Sequence, residues 1–190
     1  MEPFIDEILI TEEEIQNRVR NLGEQIDRDY AGQEIRVIGI LRGAFIFMAD
    51  LVRNIHAPLS VDFMAISSYQ DGCDSGGVVR ILKDLDKPIT GQQVLIVEDI
   101  VDTGLTLQHL KEVLATRDPA AIKVCALLNK KERREVPDLV VDYTGFDIPN
   151  CFVVGYGLDF AEQYRNYPFI FVLKPEYYQT STCATIKTGR

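Results

Sequence analysis

Two hydrophobic rhythms alternate along the chain. Ile15, Val19, Leu22 and Ile26 recur at helical spacing. Thr11-Glu12-Glu13-Glu14, just ahead of them, has the form of a capping box with Thr11 as N-cap and Glu14 reaching back. Residues 36–41 (RVIGIL) form a short apolar run suited to a strand buried on both faces. Arg42-Gly43-Ala44 then turns the chain, and residues 45–55 read as a helix. Further strands are predicted at 61–67, 78–84, 94–97, 122–128, 139–143, 152–155 and 169–173, with another helix at 105–115. Strands alternating with helices predict an α/β fold with a mostly parallel sheet, and such sheets bind ligands at the carboxyl ends of their strands.

The stretch from Ser68 to Gly77 is rich in Gly, Ser and Asp and reads as a mobile loop. Residues 179–190 are polar and read as a loose tail, which leaves 1–178 as one expected domain. A chain of 190 residues buries roughly 70% of its unfolded surface and needs no disulfides to hold a core.

Composition narrows the chemistry. Apolar residues make up 46% and charged residues 26%, with no apolar run long enough to span a membrane, so a soluble protein is expected. The acidic start lacks a basic n-region, so no secretory signal is expected and the cytoplasm is the default location. A net charge of −9 argues against a nucleic-acid partner, which wants a basic face. Cys73, Cys125, Cys151 and Cys183 form no CxxC pair, which argues against zinc; Cys125 and Cys151, in apolar runs, are expected to be core thiols. Neither histidine, His56 or His109, has a catalytic or metal-binding motif around it.

The chemistry concentrates in residues 94–107, VLIVEDIVDTGLTL. An apolar strand delivers Glu98, Asp99 and Asp102, and Thr103-Gly104-Leu105-Thr106 turns into the next helix. That helix start offers free N–H groups and a positive dipole end, a natural phosphate cradle, with Gly104 permitting close approach and Thr103 and Thr106 adding hydroxyls. Acids beside a phosphate make sense if they hold sugar hydroxyls or a Mg²⁺ ion bridging to the anion. The alternative is a solvated strand end with capping acids. The segment is neither a P-loop, since G-x-x-x-x-G-K-[ST] is absent, nor a dinucleotide fingerprint.

This segment closely resembles the 5-phosphoribosyl-1-pyrophosphate (PRPP) motif of the type I phosphoribosyltransferases. Four further stretches fall in the order found in the hypoxanthine-guanine members: Leu41-Arg42-Gly43-Ala44, Ser68-Tyr69, Leu128-Asn129-Lys130-Lys131, and Phe152 to Asp159 with Arg165 beyond. The similarity runs from about Val37 to Phe171. It implies a type I phosphoribosyltransferase fold: a mostly parallel central sheet flanked by helices, a small hood built from the N-terminal segment and about 145–178, and a mobile lid loop.

The resemblance also implies roles. Glu98 and Asp99 would hold the ribose hydroxyls, partly through Mg²⁺, and Asp159 a second Mg²⁺. Asp102, Thr103, Gly104, Leu105 and Thr106 would cradle the 5-phosphate, with Asp102 also acting as general base or acid at purine N7. Leu41, Arg42 and Gly43 would form the pyrophosphate loop, often with a cis Leu–Arg-type bond, and Arg165 would bind pyrophosphate too. Lys130 would donate to purine O6, although without the family it reads as a solvated lysine in a basic run. Phe152 would stack on the base, Val153 would reach its 2-position through the backbone, and Leu158 would complete the purine site. Ser68 and Tyr69 would belong to the lid. The implied substrates are PRPP and hypoxanthine or guanine, the products IMP or GMP and pyrophosphate, and the assembly a homodimer or homotetramer. Two alternatives share the fold: a xanthine-preferring enzyme, and a PRPP-sensing RNA-binding regulator, which the net charge disfavours.

Overall fold

A computed structural model describes residues 2–68 and 79–178. Its elements in chain order are β1 (Ile5–Ile10), α1 (Glu12–Tyr30), β2 (Ile35–Leu41), α2 (Phe45–Val52), β3 (Leu59–Ser68), β4 (Val79–Lys83), β5 (Gln93–Val101), α3 (Leu105–Ala115), β6 (Ala121–Asn129), a 3₁₀ turn (Lys131–Arg133), β7 (Tyr143–Asp147), β8 (Val153–Val154), β9 (Ile170–Leu173) and α4 (Pro175–Tyr178).

Six strands form one sheet in the order β4-β3-β2-β5-β6-β7, parallel except for β4. One apolar layer packs α1 and α2 on one face, through Ile15, Leu22, Ile26, Phe47 and Leu51. The other packs α3 on the opposite face, through Leu107, Leu110 and Leu114. Central strands covered on both sides explain the unbroken apolar runs at 37–41 in β2 and 94–97 in β5. A second sheet, β1-β9-β8, is antiparallel and joins segments from opposite ends of the described chain.

The capping box forms as read: the Thr11 hydroxyl accepts the Glu14 N–H, and the Glu14 carboxylate accepts the Thr11 N–H at 2.8 Å. Far along α1, Arg18 donates to the carbonyls of Gly145 (2.8 Å) and Thr144, tying the helix to the outermost strand β7. Tyr143 adds a hydroxyl bond to Asp29 at 2.9 Å.

Three expectations about elements need correction. Residues 139–142 are not strand; the outer strand is Tyr143–Asp147. The Asp142 carboxylate accepts the Val124 N–H at 2.8 Å, so a side chain takes the place on β6 that a backbone ladder would have used. Leu139 is nevertheless buried under α3. Strand β1 was not expected, because register shifts between Ile5 and Glu7 and between Ile8 and Ile10 break its two-residue period. Helix α2 stops at Val52 rather than 55. Of the two thiols expected in the core, Cys125 is fully buried, whereas Cys151 lies outside any strand and is only partly covered. Among the described residues, no helix is long and apolar enough to cross a membrane.

Candidate active site

Strand β5 runs to Val101, four residues past the predicted apolar run, so Glu98 and Asp99 are held by the parallel ladder. Their carboxyls therefore sit where the strand's geometry, not a loop, fixes them. Glu98 is buried, at 8% exposure. Burial, then the adjacent Asp99 charge, pushes the Glu98 carboxyl well above the ordinary range. Burial raises Asp99 to about 6, with repulsion from Asp159 adding to it; the Ile100 N–H, at 2.7 Å, and the Arg165 charge oppose the rise.

Beyond β5, Gly104 at φ 88 is the N-cap of α3 and Thr103 accepts the Leu105 N–H at 3.4 Å. Gly104 has no side chain to cap this start and no acid lies in its first turn, so beyond the Leu105 N–H the start keeps donors and positive potential for an anion. Behind Gly104 a Cβ would meet Leu139 Cδ2 at 2.7 Å and the Arg134 side chain at 3.1 Å, so the loop admits no side chain there.

Opposite stands the turn from β2 into α2. The Leu41–Arg42 peptide is cis. Leu41, Arg42 and Gly43 line one cleft of about 270 Å³ together with Glu98, Asp99, Asp102, Thr103, Gly104 and Thr106. Leu105, by contrast, is half exposed and does not line it.

A turn between β8 and β9 supplies the remaining charges. A Cβ on Gly157 would lie 2.3 Å from the Gly43 carbonyl, so this turn rests directly on the Arg42–Gly43 loop. Arg165 pairs with Asp159 at 2.6 Å and donates to the Gly157 carbonyl at 2.6 Å. On the other side, Lys130 is buried rather than solvated, and its Nζ lies 3.7 Å from Asp102. Phe152 stacks on Tyr178, with ring centroids 4.7 Å apart, and meets Phe160 edge-on. Val153 and Leu158 turn their side chains into the core, and the Leu158 backbone pairs both ways with Gly155, so Leu158 forms a wall rather than a donor. Ser68 ends β3, while Tyr69 and the rest of the expected lid lie outside the described residues.

Sequence reasoning missed three charged neighbours. Arg133 Nε lies 2.8 Å from Asp102 Oδ1, without hydrogen-bond alignment. Arg134 backs Gly104 and donates to Asn129. Glu162 pairs with Arg42. Arg133 and Arg134 lay in the basic run and Glu162 between Asp159 and Arg165, but only the fold brings each to its partner.

Residues 6–161 match the phosphoribosyl transferase domain family. The chain belongs to this family. It is 51% identical over 177 residues to the hypoxanthine-guanine phosphoribosyltransferase of Dictyostelium discoideum, covering 91% of this chain and 98% of that one. Against the Bacillus subtilis hypoxanthine-guanine phosphoribosyltransferase the identity is 47%, over 95% and 99% of the two chains. A solved structure of Trypanosoma cruzi hypoxanthine phosphoribosyltransferase, complexed with the product IMP, superposes with a TM-score of 0.91 at 42% identity, covering 98% of this chain and 99% of that one. These relatives place the phosphoribosyltransferase on the hypoxanthine-guanine branch, and its fold is the type I fold that the motif implied.

Proposed function

We propose that this phosphoribosyltransferase moves the 5-phosphoribosyl group of PRPP onto hypoxanthine or guanine, giving IMP or GMP and releasing pyrophosphate. The observation that carries the reading is the single cleft in which the acids at the end of β5 and the open start of α3 face the Arg42–Gly43 loop. A phosphorylated sugar with an anionic leaving group needs those three parts side by side.

Each residue has a task in this reading. The N–H groups and hydroxyls of residues 102–106 hold the 5-phosphate. Glu98 and Asp99 receive the ribose hydroxyls, and Arg42 and Arg165 bind pyrophosphate as charge builds on it. As the ribosyl carbon becomes oxocarbenium-like, fixed charges already in place stabilise it without reorganising. Asp102 takes the proton from purine N7. Lys130 donates to a 6-oxo group and has nothing to accept a proton from the 6-amino group of adenine, so adenine is rejected. Phe152 stacks on the base, and the Val153 backbone meets its 2-position.

The donor set also suits Mg²⁺. Glu98, Asp99 and Asp159 offer oxygens only, and the first two are adjacent carboxyls lifted by burial, a charge that a hard cation would offset. Among the described residues no three His, Cys, Asp or Glu side chains converge. Mg²⁺ fits such a site because it keeps waters and takes further oxygens from substrate phosphates. When bound, it would neutralise the leaving pyrophosphate.

A homodimer or homotetramer belongs to the same reading, and the exposed Phe45, Val61 and Leu82 on α2, β3 and β4 give it apolar surface. Cytoplasmic residence is proposed with it.

The test is nucleotide formation from PRPP and Mg²⁺ with hypoxanthine, guanine, xanthine and adenine in separate assays, with Asp102→Asn alongside. Turnover on hypoxanthine or guanine, none on adenine, and a loss of about 10²–10⁴-fold in the variant are expected. Turnover on xanthine alone, or on no base, overturns the assignment.

A further inference from the structure

The two arginines read as pyrophosphate ligands share one neighbour. Glu162 Oε2 lies 2.5 Å from Arg42 Nη1 and 3.9 Å from Arg165 Nη2. A single carboxylate oxygen thus faces two guanidinium groups from different parts of the fold, one following β2 and one between β8 and β9. The turn that carries it is held in place. The Glu162 N–H donates to Asp159 at 2.9 Å, Arg165 pairs with Asp159 at 2.6 Å, and Gly157 abuts the Gly43 carbonyl. Glu162 itself has φ 65, and its neighbours Ala161 and Tyr164 have φ 50 and φ 76. Non-glycine residues rarely adopt such angles, and they persist where surrounding structure imposes them.

Taking the arginine assignment above as its basis, we propose that Glu162 is an internal stand-in for pyrophosphate. Before an anion binds, its carboxylate neutralises Arg42, adds a longer charge contact to Arg165, which Asp159 already pairs, and keeps both directed at the place that the anion will take. PRPP or pyrophosphate, with more negative charge and more oxygens, displaces it; as pyrophosphate leaves, the carboxylate returns. Glu162 is a positioning residue that acts through the arginines. Its effect is bounded by exposure. The Arg42 and Glu162 side chains are 68% and 66% exposed, and such pairs contribute little in water, so the competition is worth at most about fivefold in affinity.

The experiment measures binding of inorganic pyrophosphate with MgCl₂ by calorimetry, for the full chain and for Glu162→Gln, at low and high salt. In the variant, pyrophosphate should bind about two- to fivefold tighter at low salt, and the difference should close at high salt as screening removes the competing charge. The KM for PRPP should fall in parallel with no gain in kcat. Unchanged or weaker pyrophosphate binding in Glu162→Gln overturns the proposal, as does a gain that salt does not diminish. Arg42→Gln and Arg165→Gln separate this failure from that of the underlying assignment. If they bind pyrophosphate as well as the unaltered chain does, the arginines are not its ligands and the stand-in falls with them. If they lose affinity while Glu162→Gln gains none, only the stand-in fails.

Discussion

A Cβ placed on Gly43 would lie 1.4 Å from Oδ2 of Asp99. The loop after β2 and the acid at the end of β5 therefore occupy adjoining space with no room for a methyl group between them. Gly43→Ala should push one of the two aside. A displacement near 1 Å at a reacting centre costs on the order of 100-fold, so kcat/KM should fall by about that factor. Far-UV circular dichroism should be unchanged, since the sheet lies behind the contact. Near-normal steady-state kinetics would show that the Asp99 side chain can move away without consequence.

Glu98 and Asp99 oppose folding for the same reason that they suit a cation. Their pKa values are raised in the folded state, Asp99 to about 6. Neither imposes a penalty below the unfolded value near 4; the penalty builds as pH rises from there to the folded values and is constant above them. Asp99→Asn should therefore raise the thermal midpoint at pH 7.5 by an amount corresponding to roughly 1–3 kcal/mol and leave it unchanged near pH 4, while losing activity. Differential scanning calorimetry at the two pH values decides this. A variant less stable at pH 7.5 would contradict the direction of the shift.

Arg133 covers the Asp102 oxygen that has no hydrogen-bond partner. It meets the cleft at Asp102, the acid read as the base. Arg133→Gln should lower kcat with hypoxanthine by about tenfold through a less well-oriented base, while KM for PRPP stays within about twofold. A large rise in KM for PRPP would move Arg133 to the sugar-phosphate side of the cleft.

Asp27 gives the fold an acid limb of its own. Its carboxylate accepts the N–H groups of His56 (2.8 Å) and Ala57 (2.9 Å), tying α1 to the approach to β3. Burial pushes this carboxyl up, but the Ala57 and His56 bonds and the His56 ring together hold it below its ordinary value. Its contribution is fully present above the unfolded value near 4 and is lost as pH falls through the lower folded value. Asp27→Asn should cost about 1 kcal/mol at pH 7, read from urea unfolding, and the cost should shrink toward pH 2–3.

The acidic motif was the most legible part of the molecule because its signal is local. Strand, acids, small residues and helix follow one another within fourteen positions, and the ladder turns that order directly into geometry. β2 and α3 were legible for the same reason. Strand β1 was not, because its irregular register mixes the two faces that alternation would have separated. Residues 139–143 misled because Leu139 and Val141 are covered by α3 and its surroundings without pairing, and a burial pattern cannot tell covered coil from strand. Lys130 looked like one lysine among several exposed charges. Its burial beside Asp102 arises only when the end of β6 meets the end of β5. Glu162 and Arg133 lie 120 and 31 positions from the groups they face, a separation that no local pattern encodes.

The Arg18 contact with β7 has a consequence for how these molecules behave in a crowd. The outermost strand of a sheet is an open template on which another chain can lay a strand of its own. Here a guanidinium reaches from α1 to two successive carbonyls of that strand and takes up acceptor capacity there. Loss of this cover should leave the strand more open to intermolecular pairing, an effect remote from the cleft. A protein lacking it could turn over substrate normally and still leave solution as aggregate.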